Sequence, residues 1–577
     1  MKNFKEFKPL MKLISKKEKK KFILSSILMF LSGISSIFTG LLNGLAVEAI
    51  TKGKLKKALV FLLIYFFIEI TFDGFIKNMG SASLERLESS LTRKLGFNTY
   101  KKSLNMPPIA YEEKSSGEII NRITQDADTL SFSFGRLLKM VSDLIGSVIV
   151  IVYVFINSRI IGIEILVFLS LLLLVLKKYN PKLKETHKER KHEQDKFTSL
   201  VTESIRGIRE IKTLGIKNNL INNMSDIIKQ IFKKSEKEID IRKTFDDVTK
   251  IFRATLEVGT FITCIILLYY NKITLTFFIA MTYYIYRYTW LIEDINELTK
   301  TYQKTMVSIS RVNDILTNRM YEDEKFGDVS LDDVDGNIKF NNVTFGYPNE
   351  KNTLKRFNLT ITPNKKIAIV GRSGQGKSTL FNLITRIFDV NKGSVTLDGY
   401  DIRDLDEESL RKNISIIRQD PFIFNQTIKE NFKIVDNNIT LKEIRNYCKQ
   451  AYIDDYIMSL PKKYNTILGE SGINLSGGQK QRLSIARTLS KKSKVILFDE
   501  ATSALDNESQ EYIKKSIDNL VKDHTVVIVA HRLSTIKDAD IIHVIDKGKV
   551  VGSDTHEKLL KTNEIYKNLY ETESLNS

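Results

Sequence analysis

The sequence predicts two unlike parts: an all-α block of six membrane-spanning helices, then an α/β domain. Three observations carry that prediction. The N-terminal half holds apolar runs of membrane length. From Asn337 on, short apolar runs alternate with helical stretches, the texture of α/β folds. One of those short runs leads straight into the glycine-rich segment GRSGQGKST.

The chain has 577 residues, room for several folding units at roughly 150 residues each. Its formal net charge is +20. Lysine is spread nearly everywhere, and no basic block is interleaved with aromatics, so a nucleic-acid partner is not expected. The charge reads as solvated surface and attraction to an anionic cytoplasmic leaflet. The two cysteines, Cys264 and Cys448, are far apart and lack metal-ligand spacing, which excludes a disulfide framework and a zinc site.

Residues 1–21 form a basic segment ending in Lys16, Lys17, Lys19, Lys20 and Lys21. The apolar stretch that follows is too long for a signal-peptide core and ends in no clear cleavage site, so it reads as an uncleaved span with the lysines held in the cytosol. Runs of roughly 18 or more apolar residues suffice to cross the hydrocarbon core. Six candidates occur: Phe22–Val47, Ala58–Phe75, Leu137–Ile156, Ile160–Leu176, Thr255–Tyr270 and Ile273–Ile292. Short connections join spans one and two, three and four, and five and six. Long polar segments, poor in Gly and Pro, separate two from three and four from five, and read as helix continuing out of the membrane. A tight outer side and two long cytosolic excursions follow, with residues 22–315 as the transmembrane domain. Lys52, Lys54, Lys56 and Lys57 in the first outer connection run against the positive-inside rule.

An acidic linker, 316–336, precedes the α/β domain, 337–577. Within it KKIAIV reads as a strand, GRSGQGKST as a loop and LFNLITRIF as a helix, the context of a phosphate-binding loop. Glycines let backbone N–H groups face phosphate oxygens, and a helix N-terminus favours negative charge. Lys377 is expected to reach the β- and γ-phosphates, and the Ser378 hydroxyl to meet Mg²⁺. The nucleotide-contacting stretch is Gly371, Arg372, Ser373, Gly374, Gln375, Gly376, Lys377, Ser378 and Thr379. KVILFDE is a buried strand ending in acids. Asp499 is placed to hold Mg²⁺, and Glu500 to act as general base on the attacking water. LSGGQKQR, Leu475–Arg482, opens a helix with Ser-Gly-Gly and offers a second anion-binding site at Ser476, Gly477, Gly478 and Gln479.

With the phosphate loop, LSGGQ and VILFDE in that order, the sequence resembles the ABC transporter family, specifically its type-IV, exporter-type half-transporters. The fold class is then multidomain, a six-helix transmembrane domain followed by a cytosolic α/β P-loop ATPase. The resemblance assigns further residues. Tyr347 in FGYP resembles the aromatic that stacks on adenine. Gln419 resembles the glutamine that senses Mg²⁺ and contacts the membrane domain. GESG, Gly469–Gly472, is similar to the exporters' cross-talk loop. SALD, Ser503–Asp506, resembles the D-loop, bringing Asp506 to the nucleotide, and His531 is similar to the switch histidine at the γ-phosphate. In the first excursion Gly117, Arg122 and Asp126 match the family's coupling region; in the second, ESIRGIREIKTLG does.

The resemblance implies ATP and Mg²⁺ as cofactors, a multi-pass protein of the cell membrane with a cytoplasmic ATPase domain, and a homodimer in lipid. ATP held between the phosphate loop of one copy and the signature of the other drives alternating access to a central cavity. The leading expectation is export of an amphipathic, peptidic, lipid or drug-like substrate. The alternatives are an importer, for example of metal–siderophore complexes, or one half of a heterodimeric exporter; intact Glu500, His531 and LSGGQ oppose an inactive ATPase. The chain enters its first span almost at once, which speaks against a leader-cleaving peptide exporter. Ionisable residues in the spans are costly in lipid and usually face an interior. Glu69 and Asp73 share a face of span two. Tyr283, Arg287 and Trp290 share one of span six, beside Tyr284 and Tyr288. They suggest a cargo cavity, or structural pairing of Arg287 with Glu69, Asp73 or Asp143.

Overall fold

The computed structural model describes residues 6, 14–113, 116–348, 352–372, 374–469, 472–499, 507–529 and 536–576. The chain divides into two compact units, Met1–Met106 with Tyr111–Glu322, and Pro107–Ala110 with Asp323–Ser577.

The first unit is helical. Among the described residues five helices are long and apolar enough to cross a membrane: α1 Lys16–Thr51, α2 Leu55–Ser103, α3 Gly117–Asn157, α4 Arg159–Arg206 and α5 Lys217–Tyr269. They cover the first five expected spans, the fifth to within one residue of its end. The sixth, Ile273–Ile292, lies in α6, Leu275–Leu316, but Arg287 and its run of tyrosines make it less apolar, and it does not reach the same measure. At 48 and 53 residues, α4 and α5 are roughly 70 and 80 Å long at 1.5 Å per residue. A core about 30 Å thick cannot contain them. Both therefore run far out of the membrane, paired with each other, and a short helix, Ile208–Leu214, joins their ends.

The opposite ends of the helices are drawn together tightly. Glu48, at the end of α1, accepts from Thr276 N at 3.2 Å and from the Thr276 hydroxyl, and so holds the first turn of α6. Lys52, one of the awkward outer lysines, donates to the same carboxylate at 2.6 Å. Behind this closure Val150, Val154, Ile161, Ile165, Cys264, Phe277, Met281 and Tyr284 form the bundle's largest core cluster. Cys264 is a buried free thiol, as is Cys448 in the other unit.

The Gly117, Arg122 and Asp126 spacing has a physical reading. A π-helical turn, Arg122–Asp126, turns both charged side chains inward. Arg122 pairs with Glu118 at 2.8 Å and Asp314 at 3.3 Å, and donates to the Arg311 carbonyl at 3.0 Å. Asp126 accepts from the Ser308 hydroxyl at 2.7 Å. The pair pins the start of α3 to the cytosolic end of α6.

The second unit is built on two sheets. Antiparallel strands in the order β2-β1-β4-β5 form one: β1 Ile338–Phe345, β2 Leu354–Ile361, β4 Lys392–Leu397 and β5 Tyr400–Asp401. The other has the order β10-β9-β3-β8-β7-β6. In it β3 Lys366–Val370, β6 Ile414–Ile417, β7 Val495–Asp499, β8 Thr525–Val529 and β9 Ile541–Asp546 run parallel, and β10 Lys549–Asp554 is antiparallel at the edge. KIAIV and TVVIV are buried at every position, as expected of central strands covered on both faces.

The acidic segment ahead of β1 is strapped to this unit rather than free. Gly327 N and Val329 N donate to Leu405 O and Asp404 O at 2.9 and 3.0 Å. The Asp398 carboxylate accepts from the backbone of Asp335, Gly336 and Asn337. The Phe326 ring meets two guanidinium groups, Arg386 at 4.8 Å and Arg411 at 5.5 Å from its centroid.

Candidate functional site

In an open parallel sheet, ligands gather at the carboxyl ends of the strands. The expected residues follow that rule. The phosphate loop begins at Gly371, directly after β3, and Asp499 ends β7. Gln419 comes two residues after β6, and the chain leaves β8 two residues before His531. Strands β3, β8, β7 and β6 are successive neighbours, so the four exits lie side by side along one sheet edge.

The loop is shaped by its glycines. Gly374 and Gly376 have φ of +79° and +89°, values in which only glycine is unstrained. From Gly376 the chain enters α7, Lys377–Ile384, directly. Lys377 is 5% exposed and its Nζ folds back over the loop, donating to Gly371 O at 2.8 Å and Arg372 O at 3.0 Å. The Gln375 side chain accepts from Lys547 N at 2.5 Å and ties the loop to the β9–β10 turn. The result is a ring of backbone around an ammonium group at a helix N-terminus, a geometry suited to an anion.

Ser378, on the first turn of α7, points its hydroxyl at Asp499, 3.4 Å from Oδ1. A hydroxyl and a carboxylate with an exposed edge are hard oxygen ligands of the kind Mg²⁺ takes when phosphates complete its shell. The described residues contain no cluster of three or more His, Cys, Asp or Glu able to hold an ion by themselves.

Tyr347 stands beside this loop, half-buried. Phe345 and Phe388 stand nearly perpendicular to its ring, at 79° and 86°, with centroids 5.1 and 5.2 Å away. Its hydroxyl lies 3.2 Å from Thr379 Oγ1 and 3.3 Å from Asn382 Nδ2, both on α7. The ring is therefore fixed relative to the phosphate loop. Sequence reading missed Phe388, because no local pattern links it to Tyr347.

The LSGGQ segment forms a helix start. Ser476 is the N-cap of α11, Gly477–Ser490, which follows α8 Glu407–Asn413, α9 Ile428–Lys433 and α10 Leu441–Gln450 along the chain. Ser476 Oγ accepts from Gln479 N at 3.3 Å, and Gln479 Oε1 accepts from Ser476 N at 2.9 Å, a reciprocal capping box. Ser476 and Gly477 are exposed and Gly478 is buried. Further along, Gln481 donates to Arg418 O at 3.1 Å and Arg487 to Phe422 O at 2.8 Å. These two bonds bracket Gln419 and fasten its loop to α11. Burial holds the Arg487 guanidinium below its ordinary pKa. Neither bracketing residue was singled out from the sequence.

Ser373, Glu500, the D-loop Ser503–Asp506 and His531 lie outside the described residues, as do positions 470–471 of the cross-talk loop. In the membrane unit the side chains of Tyr288 and Trp290 do too. Asp73 is held by Ser32 at 3.0 Å and Lys77 at 3.1 Å. Arg287 forms no ion pair with Glu69, Asp73 or Asp143 within 4.0 Å, which corrects the structural pairing expected for it.

A phosphate loop facing a hydroxyl–carboxylate pair, in one chain with five membrane-length helices, defines a membrane-bound nucleotide-dependent machine. Comparison with known proteins gives its family. Residues 22–291 match the family model described as ABC transporter transmembrane region, and residues 354–503 the one described as ABC transporter. A Bacillus subtilis protein named for multidrug export, as an ATP-binding/permease protein, is 33% identical over 81% of each chain. An ATP-dependent lipid A-core flippase of Photorhabdus laumondii is 30% identical, again over 81% of each. A solved bacterial Atm1-family ABC exporter with ATP bound superposes with a TM-score of 0.83 at 24% identity, covering 97% of this chain and 99% of that one, a likeness of fold. The chain belongs to the ABC transporter family. It is a multi-pass membrane protein of the exporter type, whose ATPase domain binds ATP and couples its hydrolysis to transport. The importer reading draws no support from these relatives.

Proposed function

We propose that two copies of this chain form an exporter of an amphipathic, lipid-like or drug-like cargo, with 22–315 as the transmembrane and 337–577 as the ATP-binding domain. The carrying observation is that one chain holds both halves of a nucleotide site, the Lys377–Ser378–Asp499 cluster and the exposed signature start at Ser476 and Gly477. A head-to-tail pair then makes two complete sites. The named cargoes of the relatives, multidrug export and lipid A-core, favour an amphipath.

Lys377 and the backbone of Gly371–Thr379 hold the β- and γ-phosphates, and Tyr347 offers its face to adenine. Ser378, Asp499 and Gln419 would hold Mg²⁺, which supplies charge neutralisation on the phosphates when bound. Glu500 takes the proton of the attacking water, and His531 orients the γ-phosphate. The family resemblance assigns Asp506 to the nucleotide. Ser476, Gly477, Gly478 and Gln479 of the second copy close the site. ATP binds the closed dimer better than the open one, and hydrolysis removes that preference.

The test is Glu500→Gln in lipid. Hydrolysis should fall by about 10²-fold or more, the usual worth of a general base, while ATP binding persists and holds the dimer closed. Hydrolysis near the wild-type rate would remove Glu500 from this role.

A further inference from the structure

Arg287 on α6 is a half-buried cation for which the described residues supply no anion. It lies roughly 18 Å from the N-terminal end of α6 at 1.5 Å per residue, near the middle of a core about 30 Å thick. Its Nε and Nη2 are shut off from solvent and make no hydrogen bond, while the residue as a whole keeps part of its surface open. No carboxylate among the described residues comes within 4.0 Å of it. The nearby helices make room for the group. A Cβ at Gly146 on α3 would lie 2.4 Å from Arg287 Nη2 and 3.0 Å from the carbonyl oxygen of Gly33 on α1. Any larger residue at Gly146 would push the guanidinium out.

Ionisable groups within the membrane are normally paired, and an unpaired one points to a ligand. A guanidinium is a planar fork that meets phosphate oxygens two at a time. One turn away on the same face of α6, Tyr283 is 47% exposed, and the adjacent Tyr286 is 65% exposed. The Tyr283 ring offers flat apolar surface on the face that carries the charge.

We propose that Arg287 is the anion-binding element of the cargo site and takes the phosphate head of an amphipathic lipid. This rests on the exporter reading and narrows its cargo. The chain's one tryptophan, Trp290, is three residues from Arg287 and serves as a local probe. The full chain is placed in nanodiscs of phosphatidylcholine, and brominated phosphatidylglycerol or brominated phosphatidylcholine is titrated in as a quencher. The wild type should prefer the phosphatidylglycerol by about threefold or more, as expected of a charge-assisted contact. Arg287→Gln should abolish the preference, and Arg287→Lys should keep part of it. Gly146→Ala keeps the charge but removes its room, and should weaken the preference even if Arg287→Gln fails to fold. No preference in the wild type, or an undiminished one in Arg287→Gln or Gly146→Ala, overturns the proposal. Reversal by soluble glycerol phosphate would make the ligand a free phosphate and overturn its lipid half; no reversal supports it. ATP hydrolysis is absent from the readout, so failure here leaves the exporter reading standing.

Discussion

Ser378 Oγ lies 3.4 Å from Asp499 Oδ1, joining the first turn of α7 to the end of β7. The two residues are far apart in sequence and serve one ion only if the sheet brings β3 and β7 into register. Asp499→Asn keeps the shape and removes the negative charge of the pair. ATP turnover should fall by about 10²-fold, the scale of several kcal/mol for lost metal-assisted catalysis. Binding of ATP without Mg²⁺ should change little. Equal loss of binding with and without Mg²⁺ in an equilibrium titration would assign Asp499 a structural role instead.

Tyr347 is expected to act through its ring. Its hydroxyl is engaged with Thr379 and Asn382 on α7, and its ring packs T-shaped with Phe345 and Phe388. Tyr347→Ala should raise the KM for ATP by about tenfold, the scale of one lost stacking contact. Tyr347→Phe should stay within about twofold, since only a modest hydrogen bond is lost. A KM unchanged in Tyr347→Ala would make this tyrosine packing alone.

Gln481 and Arg487 hold the two sides of the Gln419 loop onto α11. Gln481→Leu should free the Arg418 side while leaving the phosphate loop intact. ATP binding should persist, and stimulation of hydrolysis by cargo should drop several-fold, about the worth of one partly buried hydrogen bond. Wild-type stimulation in a ligand-dependent ATPase assay would show that the bracket carries no coupling.

The Phe326 ring, meeting Arg386 and Arg411, anchors the strap that leads into β1. Arg411 also donates to Thr385 O at 2.5 Å, at the C-terminal end of α7. Phe326→Ala removes the apolar ring and two cation–π contacts together. It should destabilise the ATPase unit by about 2–3 kcal/mol, below the full cost of a core Phe→Ala because the ring is only partly buried. Phe326→Trp should restore most of the loss in a denaturant titration, because indole is the better cation–π partner.

Local pattern carried much of this site. KKIAIV-GRSGQGKST announces itself because strand, loop and helix must follow one another in sequence to build it. LSGGQ is legible for the same reason, since capping box and helix start are consecutive residues. What stayed hidden depends on the third dimension. Phe388 meets Tyr347 only through the fold, and Phe326 finds its two arginines across strands and helices. Arg122 and Asp126 could be matched by spacing, but their partners on α6 could not. In the membrane unit the apolar runs located five helices. The sixth was blurred by the tyrosines and Arg287 that make it chemically interesting. The absence of an ion pair at Arg287 could not be read from sequence, where Glu69, Asp73 and Asp143 all stood as partners.

The central claim is that ATP is shared between two copies of this chain. Ser476→Asp tests it cleanly. Aspartate keeps the N-cap acceptor of α11 and sets a negative charge against the γ-phosphate of ATP held by the other copy. Lys377→Ala disables the phosphate loop of its own copy. Each mutant alone should lose nearly all ATPase activity in lipid. Mixed one to one, the two should form dimers in which one site carries both defects and the other carries neither. The account predicts that ATPase activity returns, approaching about a quarter of wild type if half the dimers are mixed and each turns over at one site. No recovery in a sample shown to contain mixed dimers, or wild-type chain that stays monomeric and inactive until a second half-transporter is added, would contradict it.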